Sequence, residues 1–226
     1  MRVAMVELVH YSRGITTGNG NMNATLAAKL WPQTQSSNLV RNIVLAVIGS
    51  LIVAGAAQVT IPMYPVPMTL QTLAVLGIGA AYGARLGAVT LLLYAIEGAV
   101  GLPFFAGGKS GLFDAKLDYM FPSGSMGYVV GFIMAAWLVG KLIESGWVSS
   151  LPKSALAALI GGALLYVPGI IWLAIWAAKT MNMDAATAAT SALSWGLYPF
   201  IVGDVIKAVL AGVGVPAIAG LIGRKA

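Results

Sequence analysis

Two ionisable residues, Asp204 and Lys207, lie three positions apart in a run of apolar residues near the end of the chain. At that spacing both point to one face of a helix. An aspartate presents only acceptors and a lysine only donors. Together they match a ligand that carries both N–H groups and a carbonyl or carboxylate. Ionisable groups at membrane depth are costly and by default mark a functional site; the competing reading is an internal ion pair that fixes helix packing. Glu97 is the other acid in an apolar segment, with Tyr94 three residues before it on the same face. It is either part of a site or a hydrated group near the outer membrane surface. Gln71 is an amide inside an apolar segment and needs a partner there. Tyr64, Tyr82, Tyr94, Phe104, Phe105 and Tyr128 flank the same region. They read as an interfacial aromatic belt or as the wall of a mostly apolar pocket.

Other chemistry is excluded by what the chain lacks. It has no cysteine, and its one histidine, His10, lies in the polar N-terminal stretch. Thiolate nucleophiles, disulfides and Cys-based metal sites are ruled out, and one tail histidine cannot build a triad or a metal cluster. An intramembrane enzyme would need a nucleophile with a base, or a metal set. The spans offer only Glu97, Asp204 and Lys207, so the expectation is no enzyme, no metal and no cofactor. Gly107-Gly108-Lys109-Ser110 resembles the end of a phosphate-binding loop. The full pattern needs a further Gly five residues before the Gly-Lys pair, where this chain has Pro103, together with a preceding strand and a following helix. Nucleotide binding is therefore rejected, and the glycines are read as a mobile outer loop that lets backbone approach a ligand.

The elements that must hold these residues are membrane helices. Of 226 residues, 59% are hydrophobic and 9% charged, against about 25% charged in soluble domains. So few charges cannot cover a water-facing surface. Lipid admits only helices or closed barrels, and long apolar runs without period-two alternation select helices. Six segments follow a polar cytoplasmic tail (1–38), which is expected to be flexible or loosely helical, with Met22 a candidate for the true start. They cover 39–59, 69–82, 86–101, 126–143, 155–178 and 197–222. A full crossing takes roughly 20 residues, so the second and third are expected to sit within the bundle short of full depth. With the N-terminus inside, Arg2, Arg13, Lys29, Arg41, Arg85, Lys141, Lys153, Arg224 and Lys225 are cytoplasmic, and Lys109, Lys116 and Lys179 are outside. This bias predicts both termini in the cytoplasm and accounts for the net charge of +6 without nucleic acid as a partner. The expectation is a multi-pass protein of the cell (inner) membrane, with residues 39–226 forming an all-α domain, a six-transmembrane-helix bundle.

Two irregular stretches lie on the outer side, a long Gly- and Pro-bearing loop (102–125) and the Pro-rich link Ile61-Pro62-Met63-Tyr64-Pro65-Val66-Pro67. The link is stiff and extended, and the two stretches are placed to roof a cavity jointly. The first span carries Ala46, Ser50 and Ala54 at four-residue spacing, beside a track of Gly49, Val53 and Ala57. Small residues at this spacing let helices approach closely, either within the bundle or against another membrane subunit.

Four blocks, in order, resemble the BioY proteins, the biotin-binding S components of energy-coupling factor vitamin transporters. They are Pro65-Val66-Pro67-Met68-Thr69-Leu70-Gln71, Gly101-Leu102-Pro103-Phe104-Phe105-Ala106-Gly107-Gly108, Gly127-Tyr128 with Gly131-Phe132, and Gly203-Asp204-Val205-Ile206-Lys207-Ala208. The resemblance spans residues 40–222. It implies a six-helix bundle that binds biotin near the outer face, a membrane T subunit and two ATPase subunits as partners, and Asp204 and Lys207 as biotin contacts. It also draws in the outer loop from Gly107 to Gly111, and it makes Ala46, Ser50 and Ala54 a docking face for the T subunit. Some relatives have Asn in that loop where this chain has Lys109 and Ser110, and some have an Arg after the Gly-Tyr pair where it has Val129. The partner of the ligand carboxylate is thereby left open, with Lys109 a candidate. The expected binding set is Asp204, Lys207, Gln71, Tyr94, Glu97, Gly107, Gly108, Lys109 and Tyr128. The ureido N–H groups suit Asp204, and the carbonyl or carboxylate suits Lys207. The alternatives are an S component for another vitamin and a solitary secondary vitamin transporter. Such transporters usually show internal repeats, and the two halves of this chain show no convincing one.

Overall fold

The computed structural model describes residues 25–30, 38–111 and 123–223. Most of the N-terminal tail, Met22 included, and the part of the outer loop that holds Lys116 lie outside the described residues. The described residues are mostly helical, with one short strand pair among them. The helices are α1 (Leu26–Leu30), α2 (Asn38–Gln58), α3 (Gln71–Tyr82), α4 (Ala84–Ala99), α5 (Met126–Glu144), α6 (Leu151–Thr180), α7 (Ala185–Gly196) and α8 (Ile201–Gly223). Four of them, α2, α5, α6 and α8, are long and apolar enough to cross a membrane. Helices α3 and α4, at 12 and 16 residues, are short, as their apolar runs indicate.

Large apolar side chains such as Ile48, Leu51, Leu92, Val130, Ile171 and Leu210 are exposed on the outside of the bundle. Water does not tolerate such a surface, and lipid does. Inside, small residues set the helix spacing. The Cβ that Gly131 lacks would fall 2.4 Å from the Leu165 carbonyl oxygen, so α5 and α6 touch backbone to backbone. At the other end of α5, a Cβ on Gly140 would fall 2.3 Å from the Ala84 nitrogen. There Gly83 turns the chain from α3 into α4 with φ of 83°, a conformation that favours glycine. Glu144 accepts from the freed Ala84 N–H at 2.9 Å and so caps α4.

The Pro-rich link is more ordered than an extended wall. Its flanks pair as two antiparallel strands, β1 (Thr60–Ile61) and β2 (Met68–Thr69), with Thr60 opposite Thr69. A further helix, α7, lies in the stretch 179–196 that the six expected segments leave unassigned. Helix α7 precedes α8, and Asp184 caps it by accepting from the Ala186 and Thr187 N–H groups. The Thr187 hydroxyl and N–H hold the Asp184 carboxyl below the usual carboxylate range. Asp204 and Lys207 do not interrupt α8, which runs unbroken past them. Short helix α1 packs on α8 and α3 with Ala27 buried.

The small-residue face of α2 lies inside the bundle. Ala46, Ser50 and Ala54 are at most 6% exposed within this chain alone, and Ser50 is fully covered. They belong to the stripe of α2 turned into the bundle, where Gly49 meets Thr90 and Tyr82. Packing within the chain takes up that face, and the exposed residues of α2 are the larger Val47, Ile48, Leu51 and Ile52.

Gly140→Ala is expected to lower the thermal unfolding midpoint of the purified protein in detergent, with overpacking removing about 1–3 kcal/mol. In Gly77→Ala, where nothing lies within 4 Å of the new Cβ, the midpoint should hold or rise, since alanine favours helix. Equal losses in the two variants would contradict this packing account.

Candidate functional site

One end of the bundle gathers the N-termini of α3, α5 and α8, the C-terminal part of α4 and the middle of α6 around a cavity. Its polar centre is the Asp204–Lys207 pair in the first two turns of α8. Lys207 Nζ lies 2.7 Å from Asp204 Oδ1 and donates to the Thr69 carbonyl at 2.8 Å. The other carboxylate oxygen, Oδ2, accepts from the Thr72 hydroxyl at 3.3 Å and from the Tyr166 hydroxyl. Three helices therefore meet at one carboxylate, and a strand holds the lysine paired with it. Neither ion is saturated: the ammonium keeps one N–H, and a carboxylate has about four acceptor positions, of which three are taken.

Gln71 opens α3 and is locked from both sides. Its Nε2 donates to the Tyr94 hydroxyl at 2.7 Å, its Oε1 accepts from Thr69 at 3.2 Å, and Tyr94 in turn donates to the Phe104 carbonyl at 3.3 Å. A buried amide that spends one donor this way still has a second N–H to offer. Tyr128 on α5 donates to the Gly196 carbonyl at 2.8 Å and meets the Tyr166 ring edge-on, with centroids 6.0 Å apart. It fits only because Gly169 and Gly196 have no side chains: their Cβ atoms would lie 2.6 Å from its ring and 2.1 Å from its hydroxyl. Val66, Pro67, Phe105, Ala106, Val129, Phe132, Leu165 and Phe200 complete a mostly apolar wall.

Of the residues expected from sequence, Asp204, Lys207, Gln71, Tyr94 and Tyr128 all line this cavity. Gly107, Gly108 and Lys109 do not. They form the exposed tip of a turn (Ala106–Gly108) in which Gly107 and Gly108 have positive φ. The residues beside the tip, Phe105 and Ala106, are the ones that reach the cavity. Gln58 of α2 ties this turn down by donating to the carbonyls of Phe105 and Pro103 at 3.3 and 3.5 Å. Glu97 also lies outside the lining; its Oε2 is buried with no hydrogen-bond partner among the described residues. Tyr82 ends α3 at the pole opposite Gln71, away from the aromatic cluster assigned to it. Sequence reasoning missed Thr69, Thr72, Tyr166 and Phe200. Tyr166 left a usable signal, since a phenol inside an apolar helix needs a hydrogen-bond partner.

The cavity can hold a small, mostly apolar molecule whose polar end has both donors and acceptors. Residues 23–224 match the model of the BioY family. A protein of Rhizobium etli called biotin transporter BioY is 35% identical over 76% of this chain and 89% of its own length. One of the same name from Rhodobacter capsulatus is 35% identical over 76% of this chain and 90% of its own length. A crystal structure described as the S-component for biotin from an ECF-type ABC transporter superposes with a TM-score of 0.64 at 23% identity, covering 86% of this chain and 96% of that one. It shares the fold. The family match and the curated relatives together establish that this chain belongs to the BioY family.

Proposed function

We propose that this chain is the substrate-binding membrane subunit that captures biotin at the outer face for uptake by an ECF-type transporter. It is not an enzyme. A membrane T subunit and two ATPase subunits are its partners and supply the energy. The observation that carries the reading is the unsaturated Asp204–Lys207 pair at the polar end of an otherwise apolar cavity. The ureido ring of biotin has two N–H donors and one carbonyl acceptor. Asp204 accepts from a ring N–H at its one free position, the spare Lys207 N–H meets the ring carbonyl, and Gln71 adds a further donor. Tyr94, Tyr128 and Phe132 hold the thioether ring, to which sulfur–aromatic contacts add.

In the membrane, α2, α3, α4, α5, α6 and α8 make six passes with both termini cytoplasmic. The basic residues Arg41, Arg85, Lys141 and Lys153 lie at the helix ends away from the cavity, consistent with that end facing the cytoplasm. Lys109 and Lys179 lie at the cavity end. The first 38 residues precede this domain as a cytoplasmic tail. Glu97 and the Gly107-Gly108-Lys109 tip take part only if the turn carrying Phe105 moves inward on a bound ligand.

Calorimetry on the purified chain is expected to show biotin binding. Asp204→Asn and Lys207→Ala should each weaken it by about 10- to 100-fold, the value of a charge-assisted hydrogen bond. Tyr166→Phe should weaken it less, by about 3- to 10-fold, since it removes one of three donors to a carboxylate that stays in place. Heat with another vitamin and none with biotin would reject the substrate and keep the family. In a host without biotin transport, uptake is expected to need co-expressed T and ATPase subunits; uptake by the chain alone would remove the partners from the account.

A further inference from the structure

We infer that Gln58, a residue of α2 outside the cavity, is a positioning residue for biotin binding that acts by holding the Phe105 ring in the cavity wall. The inference rests on the biotin reading above and adds to it a residue that touches no ligand. Backbone in an irregular stretch has no helix to take up its carbonyls, so side chains or water must supply the donors. Between α4 and the outer turn, three consecutive carbonyls accept from side chains. The Gln58 amide donates to Pro103 at 3.5 Å and to Phe105 at 3.3 Å, and the Tyr94 hydroxyl donates to Phe104 at 3.3 Å. Gln58 belongs to α2 and Tyr94 to α4, so two helices grip one short segment.

The grip fixes one ring. Phe105 meets Tyr94 edge-on, with centroids 5.8 Å apart. It fills a groove on α4 that exists because Gly98 has no side chain: a Cβ there would fall 2.3 Å from Phe105 Cε1. Tyr94 and Phe105 both line the cavity, and Gln58 does not. The Tyr94 hydroxyl also accepts from Gln71, so a change at Tyr94 disturbs the site directly. Gln58 offers a cleaner handle. It is exposed, and its amide donates at 3.1 Å to the Ala54 carbonyl of its own helix. Its neighbours Val53, Ala54 and Ala57 are buried in the bundle, so the anchor itself is fixed. A ring that is free to swing must be ordered when the ligand arrives, and that cost is taken from affinity. Loss of the Gln58 donor therefore weakens binding without removing a ligand contact, and only while the Phe105 ring is there to be held.

The test is a double-mutant cycle on the full chain, with biotin affinity read by calorimetry for Gln58→Met, Phe105→Ala and the two combined. Gln58→Met keeps the length of the side chain and removes its donor. It is expected to weaken biotin about 3- to 10-fold in the otherwise unaltered chain. In the Phe105→Ala background the same change should alter affinity by less than about twofold, since residues that act through one another are not additive. Phe105→Leu serves where binding by Phe105→Ala is too weak to read. A Gln58→Met chain that binds biotin within about twofold of the unaltered one, or a loss that persists undiminished without the Phe105 ring, overturns the inference and leaves the biotin reading standing. Failure of the unaltered chain to bind biotin overturns both.

Discussion

Everything at the functional end of this molecule depends on holding a carboxylate and an ammonium together inside a bundle whose outer surface is made for lipid. In such surroundings each charge alone is strongly disfavoured. Their attraction over 2.7 Å offsets much of that cost, but only if the remaining hydrogen-bonding capacity is also met. Thr69, Thr72 and Tyr166 meet part of it, and they come from β2, α3 and α6. The pair therefore ties α8 to two distant parts of the chain, the β2–α3 junction and α6. What it leaves unmet, one ammonium N–H and one acceptor position, faces the cavity. A ligand that supplies both relieves a deficit built into the empty protein, which is how a site with so few charged groups can bind selectively.

The second constraint is steric. Helices in lipid gain little from the hydrophobic effect against one another and associate through close packing. Here glycine makes that packing possible where it matters to the site. Gly131 brings α5 against α6 beside Leu165, the neighbour of Tyr166, and Gly169 and Gly196 leave the space that Tyr128 fills. The cavity wall and the helix contacts that hold the bundle are thus partly the same residues. A loosening of the α5–α6 contact would displace Tyr166 from Asp204 as well as cost stability.

Much of this was legible in the sequence, for physical reasons that can be named. An aspartate and a lysine three apart in an apolar run must share a buried face, and they do. The amide of Gln71 needed a partner and found Tyr94. The short second and third apolar runs gave short helices. What stayed hidden depended on distance in three dimensions. Nothing local in the sequence says that Tyr166, 38 residues from Asp204, donates to it, or that Thr72 does so from 132 residues away. The small residues of α2 showed that something approaches closely without saying what, and the answer is the bundle itself. Glycines in the outer turn suggested ligand contact, but it is the flanking Phe105 and Ala106 that face inward. Helix α7 was missed altogether, because its threonines and serines interrupt the apolar run that marks a span.

The task proposed for this chain is recognition, and its few membrane-embedded charges are the means. The most direct test is to purify the chain from cells supplied with biotin, denature it, and identify the released small molecule by mass spectrometry. The account predicts biotin, close to one molecule per chain, and much less from Asp204→Asn. Release of a different vitamin in that amount from the unaltered chain would contradict it.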